Sequence, residues 1–442
     1  MKVKFLPGTS SFTELREAGA YYVDKTPIIR DLVEDDRLVL MVTRPPKFGR
    51  TLLMDTLRAF LDVNPEKPGD RMRQEKLFAG LKITDDAAFC EQYMGQVPVV
   101  SVSFREVTAP DYETARQKLA DCLLRCAHDY AYLRDSPRLD GYSRYRFEAC
   151  LSEKSMCEDR TTLVNALEVL VNSVSEHYDR RVMLIIDDYD VPLASAAEGG
   201  YYPSMAEFLE QMFGMVLKPG LGERNSLHKA LLIGAHRFSG ESFNNCCIDG
   251  LLRGWPALAS AFGFTEEETA EVLRAAGLSE RLEDVRRWYG GYCNGKRNLY
   301  RSADVMRLAS EVQSGKVEAD AVLPNYPAHE ALPSAVLRKI PMLGWMDRDA
   351  VIALADNRPT WVHLNDSVYG NDLATKYGAN LWTLLVQVGL LSVTAERPGR
   401  VWRYDYEVRF SNLSTKAVLD KAMVKPFINA IPEDILADLR GS

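Results

Sequence analysis

The sequence predicts an α/β chain organised around a parallel β-sheet, and three observations carry that prediction. Four continuous apolar runs of strand length, at 38–42, 97–104, 182–186 and 230–233, alternate with helical patterns at 51–61, 112–133, 161–177 and 205–216. Strands that are apolar along their whole length are buried on both faces, as in a parallel sheet covered by helices with right-handed crossovers. Polar clusters sit directly after three of these runs, at 44–51, 187–190 and 234–237, where the carboxyl ends of parallel strands gather ligand-binding groups. After about residue 262 the texture changes to short helices and then a strand pair, so further domains follow the sheet.

The first run, Leu38-Val39-Leu40-Met41-Val42, leads into Thr43-Arg44-Pro45-Pro46-Lys47-Phe48-Gly49-Arg50-Thr51-Leu52-Leu53 and then a helical pattern reaching Phe60. Strand, tight loop and helix form the context in which backbone N–H groups and a helix N-terminus hold anionic oxygens. Gly49-Arg50-Thr51 stands where a phosphate loop carries Gly-Lys-Ser/Thr. Gly49 allows close approach of the backbone, and Thr51 offers a hydroxyl to magnesium. Lysine normally reaches the β- and γ-phosphates as a compact charge. Arg50 keeps the charge but is longer, planar and forked, suited to bidentate pairing and unable to occupy the lysine's position. The leading glycine of the usual pattern is absent, and a plain strand-to-helix turn with a solvated arginine has the same spacing.

The third run, Val182-Met183-Leu184-Ile185-Ile186, ends in Asp187-Asp188-Tyr189-Asp190. An apolar strand closing on two acids is the Walker B pattern: the first carboxylate supports magnesium and the second polarises an attacking water. Asp187 fits the first role. Asp188 stands where glutamate is expected and is one methylene shorter; a displacement of about 1 Å in a catalytic group costs roughly a hundredfold in rate. The competing reading is an acidic turn capping a helix. The fourth run continues as Gly234-Ala235-His236-Arg237-Phe238-Ser239, where His236 or Arg237 reads as a polar sensor of a terminal phosphate, or as an ordinary strand-end turn.

Beyond the sheet, Phe264-Thr265-Glu266-Glu267-Glu268 reads as a helix start, with Thr265 as cap and Glu268 completing a capping box. Leu381-Trp382-Thr383-Leu384-Leu385-Val386-Gln387-Val388-Gly389-Leu390-Leu391 reads as a buried helix ending at glycine, and 401–410 as an edge strand. The expected organisation is an α/β module over 1–262, a helical lid over 263–320 and a winged-helix-like domain over 321–442. Trp288, Tyr289 and Tyr292 read as core beneath the lid rather than base-stacking groups. Arg286, Arg287, Lys296, Arg297 and Arg301 form the densest basic cluster, a solvated face or a nucleic-acid contact.

At 442 residues, with 26% charged and 46% hydrophobic residues, the composition is that of an ordinary globular protein. The net charge of -8 argues against coating nucleic acid through bulk charge. Eight cysteines contain no Cys-x-x-Cys pair, six histidines offer no metal spacing, and no apolar run approaches the about 20 residues that span a bilayer. The start lacks the apolar core of a secretory leader, so a reducing cytoplasm with free thiols is expected.

Several blocks, in order, resemble the predicted AAA-ATPase-like family found in many bacteria and often fused to a PD-(D/E)XK-type nuclease domain. Phe12-Thr13-Glu14-Leu15-Arg16-Glu17 with Tyr22-Val23-Asp24-Lys25-Thr26 resembles its opening, and Arg44-Pro45-Pro46-Lys47-Phe48-Gly49-Arg50-Thr51-Leu52-Leu53 its phosphate loop. Ile186-Asp187-Asp188-Tyr189-Asp190-Val191-Pro192-Leu193, Phe262-Gly263-Phe264-Thr265-Glu266-Glu267-Glu268 and Trp288-Tyr289-Gly290-Gly291-Tyr292 match later blocks, so the resemblance runs from about residue 5 to 425. It implies a P-loop NTPase fold of the ASCE/AAA type, with ATP and Mg²⁺ as cofactors. It also implies phosphate contacts from Arg44, Lys47, Phe48, Gly49, Arg50, Thr51 and Leu52, metal ligands in Thr51 and Asp187, and catalytic roles for Arg50, Asp188 and Arg237. The family's loop begins with Arg-Pro, which accounts for the missing leading glycine. Its lysine is Arg50 here, its Walker B glutamate is Asp188, and one loop arginine is Pro46. The residues after Phe410 are too few for the nuclease core, so any nuclease activity is expected from a partner.

Three functions stay open on these grounds: an ATPase with weakened hydrolysis, a non-hydrolysing switch or protein-interaction scaffold, and a DNA-binding module working with a separate nuclease. Nucleotide is the expected partner, with a protein partner second, nucleic acid weakly supported and no membrane.

Overall fold

The computed structural model of the protein describes residues 3–218, 226–237, 247–249, 258–294, 297–316, 318, 348–365, 378–398 and 404–421. The four expected strands form β1 (Val39–Thr43), β2 (Val99–Ser103), β3 (Val182–Asp187) and β4 (Leu227–Gly234). With the short β5 (Cys247–Asp249) they make a parallel sheet of order β2-β3-β4-β1-β5. The alternating helices are α1 (Arg50–Leu61), α2 (Tyr112–Asp129), α3 (Arg160–Tyr178) and α4 (Tyr202–Leu217). Successive strand residues feed opposite faces. Val39 and Met41 of β1 join one core with α2, α3 and α4, whereas Leu40 and Val42 join a second core with α1 and the N-terminal helices. That two-sided burial is the physical content of the continuous apolar runs.

Register sets the level of the site. Thr43 pairs with Gly234, Ser103 with Asp187, and Asp187 with Ile233. The ends of all four main strands therefore lie side by side. Because β4 separates β1 from β3, the chain leaving β4 emerges between the loop after β1 and the acids after β3.

Three helices, α5 (Glu266–Ala276), α6 (Leu282–Tyr289) and α7 (Ser302–Gln313), occupy the stretch read above as a lid. Thr265 makes the capping box with Glu268. Their core holds Val272, Leu273, Val285, Tyr289, Tyr300 and Val305, and Phe5 from the chain's start packs into it. The hairpin of β6 (Tyr292–Asn294) and β7 (Arg297–Leu299) links α6 to α7.

Later in the chain, α8 (Arg348–Ala355), β8 (Thr360–His363), α9 (Gly378–Gln387), β9 (Leu391–Pro398), β10 (Tyr404–Phe410) and α10 (Leu413–Leu419) form an α/β unit. Its antiparallel sheet has the order β8-β10-β9. The strand expected over 401–410 thus lies at the centre of its sheet and not at an edge; residues 401–403 lie outside the described residues. The unit's core, including Trp382, Leu385 and Val408, is continuous with one face of the main sheet. Among the described residues, six cysteines are unpaired and no helix is long and apolar enough to cross a membrane.

Candidate functional site

The loop from β1 to α1 turns on two left-handed residues, Lys47 at φ 70° and Gly49 at φ 79°. Glycine takes that conformation without penalty, and a lysine must be held there by its surroundings. The lid does the holding. Ala303 N–H and Ser302 Oγ both donate to the Lys47 carbonyl at 3.2 Å, and Gly263 N–H donates to the Phe48 carbonyl at 2.9 Å. The Phe48 ring meets Tyr292 edge-on at 4.9 Å. Gly49 caps α1 with no side chain, leaving the first-turn N–H groups of a 12-residue helix pointing into the space beyond.

That space is a cavity of about 800 Å³. Its floor is the loop from Pro46 to Leu53, with Arg105 and Asp188; its walls include Tyr22 and Lys25 on one side and Arg301 and Met306 of the lid on the other. Lys47, Phe48, Gly49, Arg50, Thr51 and Leu52, all expected at the phosphates, line it.

At the cavity floor the loop meets the acids. Thr51 Oγ1 donates to Asp187 Oδ2 at 2.8 Å. Arg50 reaches past the loop, Nη1 donating to the Arg44 carbonyl at 3.3 Å and Nη2 to Asp188 Oδ1 at 2.9 Å. Arg105, two residues beyond β2, donates from Nε to Asp188 Oδ2 at 3.0 Å and from Nη2 to Thr51 Oγ1 at 2.7 Å. Asp188 sits at φ 53°, and its N–H donates to Asp187 Oδ1 at 3.0 Å. Both acids are about 95% buried. Burial, and then the neighbouring Asp188 charge, hold the Asp187 carboxyl above its ordinary value, against Arg50, the Thr51 hydroxyl and Arg105. A hydroxyl and a carboxylate within hydrogen-bond reach are hard oxygen donors of the kind magnesium takes. The donor set fits the implied metal.

Two expected site residues lie elsewhere. Arg44 is wholly buried, pairs with Asp249 through Nη2, and donates from Nη1 to the carbonyls of Thr43 at 2.9 Å and Asp249 at 3.2 Å. Its guanidinium lies 5.3 Å from the Phe262 ring centroid, and the residue does not line the cavity. A fully desolvated guanidinium demands a counter-charge, and Asp249 supplies it behind the loop. Arg44 therefore anchors the loop from behind and does not open onto the cavity. Arg237 does not line the cavity either; its N–H donates to Gln387 Oε1 at 3.4 Å. The preceding His236 is buried, with Nδ1 2.7 Å from Asp190 Oδ2, an oxygen that also accepts the N–H groups of Ala235 and His236.

The basic cluster disperses. Arg286 is ion-paired with Glu266 and Glu283, and Arg301 turns inward beside Asp304. Arg287 is exposed, and Lys296 and the side chain of Arg297 lie outside the described residues. Tyr289 and Tyr292 are core residues, as expected. Asp24 accepts from the Thr26 hydroxyl and from Lys82 N–H, a structural clamp, while Lys25 pairs with Glu268 at 2.6 Å. Sequence reasoning missed Arg105 and Asp249. The rule that strand ends carry function applies to Arg105, which follows the second apolar run directly.

A family model described as predicted AAA-ATPase matches residues 7–244, more than half of the chain. The chain belongs to this predicted AAA-ATPase family. The match spans the loop, both acids and Arg105. A wider comparison finds 23% identity over 439 residues with an "Uncharacterized protein in vnfD 5'region" of Azotobacter chroococcum mcd 1. That alignment covers 97% of this chain and 71% of the relative, so the lid and the later α/β unit of this AAA-ATPase-like chain fall within it.

Proposed function

We propose that this protein binds ATP with Mg²⁺ at the cavity between loop and lid and hydrolyses it slowly. The observation that carries the reading is the 2.8 Å contact of Thr51 Oγ1 with Asp187 Oδ2 below the N-terminus of α1, on the floor of a cavity of about 800 Å³. The helix N-terminus and Lys47 hold phosphate oxygens, and Thr51 and Asp187 hold magnesium, which when bound neutralises charge on the phosphates. The residues around Tyr22 and Met306 enclose the nucleoside end.

Slow turnover follows from Asp188. A group that orients a water needs a free acceptor oxygen within hydrogen-bond reach. Both oxygens of Asp188 are engaged by guanidinium groups, one from Arg50 and one from Arg105. The same observation favours a second reading, a switch that binds nucleotide and signals occupancy without turnover. The later unit, whose helices and antiparallel strands support a winged-helix-like assignment, would read that signal.

Titration calorimetry with ATP and Mg²⁺ tests the reading. Micromolar to sub-millimolar binding that Thr51→Ala weakens only when metal is present is the expected result. Absence of heat at millimolar nucleotide would overturn it.

A further inference from the structure

Resting on the reading of this cavity as a metal–nucleotide site, we infer that Arg105 is a displaceable counter-cation that keeps the metal position closed until nucleotide arrives. A hydroxyl has one proton and two lone pairs. The Thr51 proton goes to Asp187, and Arg105 Nη2 occupies a lone pair at 2.7 Å, the electron density a divalent ion would take. The same guanidinium stands 4.0 Å from Asp187 Oδ2 and holds Asp188 Oδ2 at 3.0 Å. One positive group thus bridges three oxygen-bearing side chains at the point where the metal ligands converge.

Of the two arginines at the acids, Arg105 is the one built to leave. Its side chain is 59% exposed, whereas that of Arg50 is 11% exposed and tied to the Arg44 carbonyl. Arg105 also follows the last residue of β2 by only two positions, and its side chain lines the cavity. Its displacement frees Thr51 and Asp187 together, so the metal position opens in a single event, while Arg50 keeps its hold on Asp188 Oδ1. Arg105 is therefore a gate on the site, and its charge opposes the metal's.

The test uses the full chain and Mn²⁺ as a paramagnetic probe, with free Mn²⁺ read by electron paramagnetic resonance, alone and with ADP. ADP binding is measured separately in chelator. Arg105→Ala is expected to bind Mn²⁺ about tenfold more tightly than wild type, and Arg105→Lys to stay near wild type. ADP affinity without metal is expected to change less than about threefold, a range too small to mark a lost phosphate contact. Unchanged or weaker Mn²⁺ binding in Arg105→Ala would overturn the inference, as would a parallel loss of metal-free ADP affinity, which would make Arg105 a phosphate ligand. The nucleotide reading separates cleanly: tighter Mn²⁺ binding with no ADP binding in any variant leaves the gate standing and removes the nucleotide, and ADP binding with unchanged Mn²⁺ affinity does the reverse.

Discussion

At the residue scale, the chemistry of the site is decided by where two guanidinium groups rest. The fork of the Arg50 guanidinium lets it span the Arg44 carbonyl and Asp188 at once. Lysine at that position would offer a point charge to the cavity and release Asp188 Oδ1. Glutamate at 188 would carry its carboxylate one methylene further from the backbone. The double substitution Arg50→Lys with Asp188→Glu is expected to raise the steady-state ATPase rate by about tenfold or more, with smaller gains from either change alone. A rate left where wild type stands in a phosphate-release assay would refute this account of the acids. A second residue-scale effect lies at the other end of α1. Burial pushes the Asp62 carboxyl up to about 6, against the lowering influence of the Val99 N–H and Arg58. An acid whose folded pKa is raised favours the fold when protonated. Its contribution is therefore fully present below the ordinary carboxylate value near 4 and is lost as pH rises to about 6. Asp62→Asn keeps an acceptor for Val99, so its melting temperature relative to wild type should climb between those two pH values and stay level above them.

At the element scale, the sheet was legible because burial on both faces leaves an unbroken apolar run, and β1 to β4 match the runs to within a few residues. The capping box at Thr265 was legible because it is a local, four-residue pattern. Of the strand pair expected late in the chain, β9 could not be placed, since only its first residues are buried and its outer half, Ala395-Glu396-Arg397-Pro398, is largely exposed; without it, β10 reads as an edge. Arg105 was hidden for a different reason: its partners are set by the register of β2 on β3, which no local pattern encodes. Equally non-local is the seam between loop and lid. A Cβ on Gly263 would stand 2.7 Å from the Phe48 ring and 2.9 Å from the Tyr300 carbonyl, at φ 75°. Gly263→Ala is expected to cost about 1–3 kcal/mol of stability in denaturant titration and to weaken nucleotide binding by freeing the Phe48 carbonyl from its donor. If affinity survives intact while stability falls, the lid does not shape the loop.

For the whole molecule, the later α/β unit packs against both the loop after β1 and the segment after α6. Gly389, at φ 79°, ends α9 where an added Cβ would lie 2.9 Å from the Tyr292 ring and 3.0 Å from Pro45. Tyr292 in turn packs on Phe48, so one glycine turn presses on the loop from both its entry and its tip. Asn412 Nδ2 donates to the Gly290 carbonyl at 2.8 Å, and Gln387 accepts the Arg237 N–H at 3.4 Å, binding the unit to the end of α6 and to the end of β4. If loop or lid moved, contacts packed this closely would carry the movement to the unit, because close-packed interfaces switch between discrete arrangements rather than deform smoothly. Gly389 does not itself line the cavity, so Gly389→Ala strains the contact from outside it. Hydrogen exchange at the amides of 44–51 should then quicken, and ATP should no longer protect the amides of β10 and α10. Protection of those distant amides by ATP in wild type, and its loss in the variant, would establish that the unit reads the site. Equal exchange in both proteins would instead make the contact a static buttress.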